Sequence, residues 1–325
     1  MRSRKHPSVA VLLATYNGSQ YIERQIRSLK ENSTPFTLHW LDDHSTDNTR
    51  EVVRSVVRSC CIDLTEWQQP AHLGLPSTFF QLVEAADADI YLFCDQDDIW
   101  QPGKIDATVA TLLPDLELPA ICFSDPFVFD TDTPECRYQM LDVLRAKPEA
   151  AMQESRVFTP MVGYGHTQGF TRALREIYIK HKDIARAHAF MHDMWMYAIA
   201  AASGTARLMS NVPTTLYRIH GRNTSGYYGG WKGKGIGRMT TTWQEHHKLR
   251  RGLSRHAKGF LLASPTLPAS PKLDRLLEIA RLVAVLDRRQ SPGSAVRLAR
   301  RRILWPNSRL DLELALNCLC SDATA

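Results

Sequence analysis

The sequence predicts an α/β protein in which a mainly parallel sheet is flanked by helices and followed by a basic, helical C-terminal extension. Apolar runs of strand length alternate with segments of helical periodicity through the first third of the chain. With 325 residues, the chain is long enough for one large domain or two ordinary ones. Its 44% hydrophobic and 23% charged residues exclude the disordered, fibrous and collagen-like classes.

Four runs of strand length predict the strands of this sheet, and helices are predicted between them. The strands are residues 9–14, 36–41, 62–67 and 90–94, and the helices lie near 21–29, 52–57 and 76–86. Ser45, Thr46 and Asp47 supply capping oxygens before the second helix. A near-continuous apolar run such as the first is typical of a parallel strand covered on both faces. Strands separated by helices imply right-handed crossovers and a mainly parallel sheet.

The alternation changes after Asp98. We expect a helix at 104–113, a strand at 120–123 and then a long irregular stretch to Phe158. Such stretches usually hold acceptor or lid loops. A later short helix is predicted at 194–202.

The last third of the chain differs in composition. Six glycines are interleaved with aromatic and lysine residues between 226 and 237. We place a domain boundary there, which divides the chain into residues 1–235 and 236–325. The second part is basic and helical in pattern, and a proline-rich linker at 264–271 interrupts it.

Charge and cysteine content restrict the partners and the compartment. Forty Lys and Arg against 34 Asp and Glu give a net charge of +6, which suits anionic ligands but is too small to indicate nucleic acid. The seven cysteines match neither a disulfide framework nor a zinc spacing. We therefore expect reduced thiols and a cytoplasmic protein. No apolar run is long enough for a signal peptide or a membrane span.

A basic segment near the C-terminus has two interpretations. The string from Arg297 to Arg302 holds four arginines and is followed by Ile303, Leu304 and Trp305. It is either a basic amphipathic stretch lying on the inner face of an anionic membrane or a solvated helix face packed on its apolar side. Sequence alone leaves both open.

Polar residues follow three of the predicted strands. Thr15 to Gly18 follow the first strand, Asp42 and Asp43 the second, and Asp95 to Asp98 the fourth. In an open parallel sheet, ligands bind outside the carboxyl ends of the strands. Crowded carboxylates repel one another unless a cation neutralises them, and their oxygens favour Mg²⁺ or Mn²⁺. Such an ion completes its shell with phosphate oxygens, so the implied ligand is a diphosphate. The alternative is a set of solvated aspartates that cap the next helix.

Five strings resemble, in order and spacing, family 2 glycosyltransferases of the GT-A fold, and most closely their bacterial rhamnosyltransferase-like branch. The strings are 14–18, 42–49, 93–100, 192–193 and 217–223. The likeness covers about residues 7–223. The resemblance implies a GT-A (nucleotide-diphospho-sugar transferase) fold.

The resemblance also implies roles for single residues. It places Thr15, Tyr16, Asp43 and Asp95 at the donor nucleotide, with Tyr16 against the base and Asp43 hydrogen-bonded to it. Asp97 would be the metal ligand, with Asp95 near the ribose and the metal. Asp193 matches the position of the catalytic base of inverting members, and Arg218 and His220 would approach the diphosphate. Asp193 is also the predicted N-cap of its helix, and the two roles are compatible.

Two departures from the family pattern affect these expectations. His44 stands where the second motif usually has Gly, and a positive φ there would be tolerated less well by His. The Gln-x-x-Arg-Trp string of processive members is absent from the sequence. We therefore expect single additions rather than polymer synthesis.

The predicted function is a metal-dependent, inverting transferase. It moves one sugar, rhamnose being one candidate, from a dTDP- or UDP-linked donor to a glycan or lipid-linked acceptor in bacterial cell-surface polysaccharide synthesis. One alternative is a nucleotidyltransferase that makes sugar nucleotides, although the glycine-rich phosphate loop it usually presents is missing from residues 14–18. Another is a non-catalytic module of the same fold that binds sugar nucleotides or anionic surfaces.

Overall fold

The computed structural model describes residues 6–130, 138–143, 148, 152, 157–158, 163–212, 214–220 and 243–287. Its strands are β1 (Val9–Thr15), β2 (Thr37–Asp42), β3 (Asp63–Trp67), β4 (Ile90–Cys94), β5 (Ile99–Trp100), β6 (Ala120–Ser124), β7 (Phe127–Asp130), β8 (Tyr138–Gln139), β9 (Gly169–Thr171), β10 (Thr205–Met209) and β11 (Thr215–Ile219). Its α-helices are α1 (Ile22–Leu29), α2 (Thr49–Ser59), α3 (Ser77–Ala85), α4 (Lys104–Leu112), α5 (Met140–Val143), α6 (Arg172–Lys180), α7 (Lys182–His188), α8 (His192–Ser203), α9 (Trp243–Ala263) and α10 (Pro271–Val283).

The main sheet is largely parallel, as the sequence predicts. Within the described residues its strand order is β10-β6-β9-β4-β1-β2-β3. Strand β1 lies parallel to β2 and β4, β2 to β3, and β6 to β10. Strand β9 is antiparallel to both β4 and β6. This three-residue strand was not predicted from the sequence because it is too short to give a pattern. A Cβ on its Gly169 would collide with Thr108 of α4, so glycine lets the helix pack closely.

Both faces of the sheet are covered by apolar side chains. Alternate residues of a strand point to opposite faces, and Ala10 and Leu12 belong to one hydrophobic cluster while Val11 and Leu13 belong to the other. The first cluster includes residues of α3, α6, α8, α9 and α10, and the second includes residues of α1, α2 and α4. This burial on both sides accounts for the continuous apolar run of β1.

A second, small sheet stands at the carboxyl edge of the main one. Its strand order is β5-β11-β7-β8. Strand β5 directly follows the Asp95 to Asp98 segment, and β11 carries Arg218 near its end. The sequence predicts an irregular stretch from 124 to Phe158, and that prediction is wrong where β7, β8 and α5 form. These elements are two to four residues long, which is too short for periodicity to reveal them.

Two predicted helix starts differ from the structure. Asp193 is not an N-cap, because α8 begins two residues before the predicted start and Met191 occupies the N-cap position. Helix α2 has Asn48 at its N-cap, and of the three predicted capping residues only Asp47 bonds to the helix, accepting from the Thr49 N–H at 3.0 Å. The other two make hydrogen bonds within the neighbouring loops.

The C-terminal helices pack on the same core as α8. Leu249, Leu253 and Phe260 of α9 and Leu276 of α10 are buried in the first cluster. A 3₁₀ turn separates the two helices within the predicted proline-rich linker. The glycine-rich segment and the Arg297 to Arg302 string lie outside the described residues, so the boundary near 235 stays a prediction. In the described part of the chain, no helix is both long and apolar enough to span a membrane.

The packing of α9 predicts different effects for two substitutions on that helix. Phe260 is fully buried and its ring lies 5.2 Å from that of Phe158, whereas Leu262 is 58% exposed. Phe260→Ala should lower the free energy of unfolding by about 3–5 kcal/mol. Leu262→Ala should change it by no more than about 0.5 kcal/mol. Urea unfolding of both variants measures the difference, and equal effects would show that α9 does not belong to the core.

Candidate functional site

The predicted site residues meet at the carboxyl edge of the main sheet. Strands β1, β2 and β4 are parallel neighbours, so the loops after them lie side by side. The Asp43 N–H donates to the carbonyl of Thr15 at 2.7 Å, which joins the first two loops. The third loop, Asp95 to Asp98, is joined to the first through Gln96 and Tyr16. The structure thus brings together the three clusters that the sequence singles out.

Thr15 uses its side chain inside the protein. It is 2% exposed, and its hydroxyl donates to Asp42 at 2.8 Å and accepts from the Trp40 indole N–H at 3.0 Å. Asp42 also accepts from Arg50 and Ser45. Burial alone would raise the pKa of Asp42, but these hydrogen bonds bring it below its usual value. Thr15 and Asp42 therefore fix the base of the first two loops.

Asp43 organises the loop that faces Tyr16. The Asp43 side chain is buried, and its carboxylate accepts from the N–H groups of Leu73 and Gly74 at 2.8 and 2.7 Å and from the side-chain amide of Gln69. His72 Nδ1 lies 2.9 Å from the Asp43 carbonyl oxygen and 3.0 Å from its carboxylate. Both carboxylate oxygens of Asp43 thus have partners within the protein.

Tyr16 and His72 form an exposed aromatic pair. Tyr16 is 48% exposed, and its ring centroid lies 4.7 Å from that of His72 at 46°. An exposed ring beside a second ring offers a planar ligand a surface for stacking. Tyr16 was predicted from the sequence, but His72 was not. The signal that could have indicated His72 is an aromatic ring in the loop that follows the third strand.

The Asp95 to Asp98 segment concentrates three carboxyl groups, of which Asp98 is buried and Asp95 and Asp97 are half-buried. Burial, followed by the charges of Asp97 and Asp193, raises the pKa of Asp95 to about 8. Asp98 is completely buried, and burial with its two neighbours raises the pKa of its carboxyl group well above the usual value. The N–H of Arg218 donates to Asp98 at 3.2 Å. Asp98 therefore points inward and holds strand β11 in place.

Two buried bases lie beside these carboxyl groups. Lys104 has no exposed surface, its Nζ lies 3.3 Å from the centroid of the Trp100 ring, and burial lowers its pKa to about 7. The positive charge of Lys104 lowers the pKa values of Asp95 and Asp98, against the effect of burial. His166 Nδ1 lies 3.3 Å from Asp98, and burial lowers the pKa of that imidazole to about 3. Neither residue was identified from the sequence, because only the fold places them here.

Strand β11 brings the predicted diphosphate residues to Asp97. His220 Nε2 lies 2.9 Å from the Asp97 carboxylate, and Arg218 Nε donates to the Asp97 carbonyl at 2.9 Å. His220 stacks on Tyr21 at 4.6 Å, and the Arg218 guanidinium lies 5.2 Å from the centroid of the same ring. Arg218 and His220 therefore lie at the acidic segment, and their role at a diphosphate stays a prediction.

Asp193 lies in the first turn of α8, where its carboxylate accepts from the N–H groups of Gly165 and Met194 at 2.9 and 2.7 Å. Burial raises its pKa to about 6 despite these bonds. Asp193 is near enough to Asp95 for its charge to raise the pKa of that residue. The neighbouring His192 is buried and stacks on Phe79 at 4.0 Å, which makes it a packing residue.

The acidic segment has the ligands that a hard cation prefers, but few of them. In the described ranges, no group of three or more His, Cys, Asp and Glu side chains is arranged to hold a metal. Asp95 and Asp97 offer carboxylate oxygens, and burial, followed by the charges of Asp97 and Asp193, disfavours the ionised form of Asp95 when no cation is bound. Mg²⁺ is usually bound by one or two carboxylates and completes its shell with water and phosphate. The residues therefore fit an ion that binds together with a diphosphate.

The fold and the site define a class of protein. A largely parallel sheet whose carboxyl edge carries an exposed aromatic ring, a pair of carboxylates and two basic side chains is compatible with a GT-A glycosyltransferase. The chain belongs to glycosyl transferase family 2, whose family model matches residues 10–191. It is therefore a transferase, and the α/β fold predicted from the sequence is confirmed.

Two curated proteins are similar to this chain. The dTDP-rhamnosyl transferase RfbG of Shigella flexneri is 26% identical over 223 residues, which cover 66% of this chain and 73% of that protein. The uncharacterized glycosyltransferase alr2836 of Nostoc sp. is 29% identical over 102 residues, 31% of each chain. The first match supports the likeness to rhamnosyltransferases that the sequence motifs indicate.

Two solved structures share the fold. The mannosyltransferase PcManGT from Pyrobaculum calidifontis, in complex with GDP-Man and Mn²⁺, aligns with a TM-score of 0.60 and 16% identity over 99% of this chain and 76% of that one. S. aureus TarS in complex with UDP-GlcNAc aligns with a TM-score of 0.54 and 14% identity over 91% and 82%. At these identities the likeness concerns the fold alone.

The position of His44 tests the first departure from the family pattern. His44 has φ +64°, in the left-handed region that the usual Gly adopts without strain. Among non-glycine residues, His is one of those enriched in this region. Its Nε2 lies 3.2 Å from the Gln69 carbonyl oxygen, which ties the second loop to the segment beside His72. The loop thus keeps the glycine-like backbone with a histidine in place.

This backbone predicts a difference between two substitutions at position 44. A β-branched residue held at positive φ costs about 1–3 kcal/mol, and the extra unfolded-state freedom of Gly offsets about 0.5–1 kcal/mol. His44→Val should therefore be less stable than His44→Gly by about 1–2 kcal/mol. Both variants lose the contact with Gln69, so urea unfolding of the pair isolates the backbone effect. Equal stabilities would show that the loop does not need a positive φ.

Proposed function

We propose that this glycosyltransferase is a metal-dependent, inverting enzyme that adds a single sugar from a dTDP- or UDP-linked donor to a hydroxyl of a glycan or lipid-linked acceptor. The observation that supports this most directly is the convergence at one sheet edge of an exposed Tyr16, the Asp97 carboxylate with His220, and the separate carboxyl group of Asp193. One group is available for each requirement of the reaction.

Binding of the donor would use the base side and the basic strand. Tyr16 would stack on the nucleobase beside His72, with Asp43 and Thr15 fixing the loops that shape this surface. Asp95 would lie towards the ribose. Arg218 and His220 would face the diphosphate, whose negative charge increases as it departs. In a protein of this kind, basic groups near the leaving group lower the barrier to displacement.

Asp95 and Asp97 would hold the Mg²⁺ or Mn²⁺ ion. When bound, the ion supplies an electrophile that neutralises charge on the departing diphosphate. His220, 2.9 Å from Asp97, orients that carboxylate from the side of β11. Two carboxylates fit an ion that completes its shell with phosphate oxygens and water.

Asp193 would remove the proton of the acceptor hydroxyl. Its pKa of about 6 makes it ionised at neutral pH and yet a stronger base than an exposed aspartate. The N–H groups of Gly165 and Met194 fix the orientation of the carboxylate. Attack from the side opposite the diphosphate inverts the anomeric carbon.

The finer parts of the proposal depend on the relatives and on segments outside the described residues. The name of the Shigella flexneri relative supports a dTDP-linked donor and rhamnose as the sugar. A role in bacterial cell-surface polysaccharide synthesis, a cytoplasmic location and contact with the inner face of the membrane stay predictions. No observation favours a nucleotidyltransferase, and membership of family 2 argues against a purely non-catalytic module.

The role of Asp193 predicts a separation of binding from chemistry. Asp193→Asn keeps one of the two oxygens that accept from the N–H groups of Gly165 and Met194, but it cannot take up a proton. Transfer should fall by roughly 10²–10⁴, equivalent to about 3–5 kcal/mol in the barrier, while donor affinity persists. Calorimetry with the donor and turnover on one preparation measure both. A variant that keeps more than about a tenth of wild-type turnover would remove Asp193 from the mechanism.

The raised pKa of Asp193 also predicts the pH profile. A carboxyl group with a pKa of about 6 stays protonated to a higher pH than an ordinary aspartate, so the base is lost as the pH falls through 6. The kcat/KM of the wild type should therefore decline about tenfold for each pH unit below that value. Asp193→Asn should lack this acidic limb, and an unchanged limb in that variant would assign it to another group.

The role of Asp97 predicts a loss of metal-dependent transfer. Asp97→Ala should abolish turnover and weaken Mn²⁺ binding in the presence of dTDP, because the ion loses one of its two protein carboxylates. Asp183, an exposed aspartate of α7, provides the control Asp183→Ala, which should behave like the wild type. Undiminished turnover of the wild type in excess chelator would contradict metal dependence.

A further inference from the structure

The side-chain amide of Gln96 is hydrogen-bonded to both backbone groups of Tyr16. The Tyr16 N–H donates to Gln96 Oε1 at 2.9 Å, and Gln96 Nε2 donates to the Tyr16 carbonyl at 3.0 Å. Tyr16 follows β1, whereas Gln96 stands between Asp95 and Asp97. One amide therefore connects the loop that presents the stacking ring to the loop that presents the paired carboxylates. We call this contact the Gln96 bridge.

Gly18 shows that the first loop is built around this bridge. A Cβ on Gly18 would collide with Gln96 Oε1 and would lie 2.5 Å from its Cδ. Gly18 is not among the residues with positive φ, so its backbone conformation is open to other residues. A side chain at position 18 would thus meet the Gln96 amide in its present position, whereas the main chain would accept it. Two independent features of the first loop, its backbone bonds and its glycine, are fitted to Gln96.

We propose that Gln96 is a positioning residue that couples nucleobase binding at Tyr16 to cation binding at Asp95 and Asp97. A base that stacks on Tyr16 fixes the backbone to which the amide is bonded. A cation on the flanking carboxylates fixes the backbone that carries the amide. Each ligand thereby orders part of the site that the other needs, and the two bind cooperatively. The inference rests on the proposed function, in which both ligands occupy these loops.

A cation also contacts the diphosphate directly, so part of any cooperativity does not involve Gln96. The part carried by the bridge is the part that disappears when the amide is removed. A merely structural Gln96 would behave differently. Its loss would weaken the binding of nucleotide and of cation separately, and the factor by which one ligand improves the binding of the other would stay constant.

The coupling factor is therefore the quantity to measure. Calorimetry gives the dissociation constant of dTDP with Mn²⁺ and with chelator, and the ratio is the coupling factor. By thermodynamic linkage, dTDP must improve Mn²⁺ binding by the same factor, which titration of Mn²⁺ with and without dTDP checks. In Gln96→Ala we expect this factor to fall at least about fivefold, the lower end of typical couplings between sites.

The chain offers a matched control in Gln101. The side-chain oxygen of Gln101 accepts from the Thr214 N–H at 2.9 Å, and the backbone N–H of Gln101 donates to the Thr214 carbonyl at 2.8 Å. Gln101 thus also uses its amide on a distant backbone, but it contacts neither Tyr16 nor the acidic loop among the contacts described. Gln101→Ala should leave the coupling factor at the wild-type value. If Gln96→Ala does not fold, Gln96→Met preserves the length of the side chain without its hydrogen bonds.

A double-variant cycle with Gly18 gives a second readout. In Gly18→Ala the new methyl group displaces the amide, so the coupling factor should fall as it does in Gln96→Ala. In Gln96→Ala the space is free, and the further change Gly18→Ala should have little additional effect. If instead the two substitutions lower the coupling factor additively, position 18 acts independently of the bridge, which counts against the inference.

The outcomes distinguish a failure of the inference about Gln96 from a failure of the proposed function. Wild-type protein that binds dTDP and Mn²⁺ cooperatively, with the same factor in Gln96→Ala, overturns the role of Gln96 and leaves the proposed function in place. Wild-type protein that binds neither dTDP nor UDP in the presence of Mn²⁺ overturns the proposed function and the inference with it. A coupling factor that falls in Gln96→Ala and persists in Gln101→Ala supports both.

Discussion

Repulsion among three carboxyl groups at the end of a buried strand is the constraint on which the site depends. The segment that holds Asp95, Asp97 and Asp98 directly follows β4. Burial, and after it mutual repulsion, raises the pKa values of Asp95 and Asp98. The surrounding elements compensate in part. Strand β11 brings Arg218 and His220 to this segment, and α4 begins with a buried lysine whose charge acts on the same carboxyl groups. The remaining negative charge is what a cation would neutralise.

The fold was predictable from the sequence because its strongest signals are local. The runs that became β1, β2, β3 and β4 have strand-like patterns separated by helical periodicity, and they lie within a residue of their predicted bounds. Strands β5, β7, β8 and β9 were not predicted, because strands of two to four residues leave no pattern. Their pairing is decided by neighbours far away in the sequence, as in the contact of β9 with β4 and β6.

The site was predictable to the extent that it follows strand ends. Tyr16, Asp43 and Asp97 come directly after strands, so the topology of a parallel sheet brings them together. Lys104, His166 and His72 reach the site from elements that carry no motif, and no local rule identifies them. The prediction that Asp193 is the N-cap of its helix was wrong for a similar reason, because no local rule identified where α8 begins. The packing of His192 on Phe79 and Phe93, which the sequence does not show, accompanies a helix that starts two residues before its predicted start.

Helix α8, which carries Asp193, is covered on one side by aromatic residues that precede it in the chain and on another by α9, which follows it. Its His192 packs on Phe79 and Phe93, whereas its Trp195 meets His256 of α9 at 5.5 Å. Strands β1 to β9 precede α8 in the chain, whereas β10, β11, α9 and α10 follow it. During synthesis α8 therefore emerges before the helices that cover its second side, and its packing is completed only after residues beyond 260 have emerged.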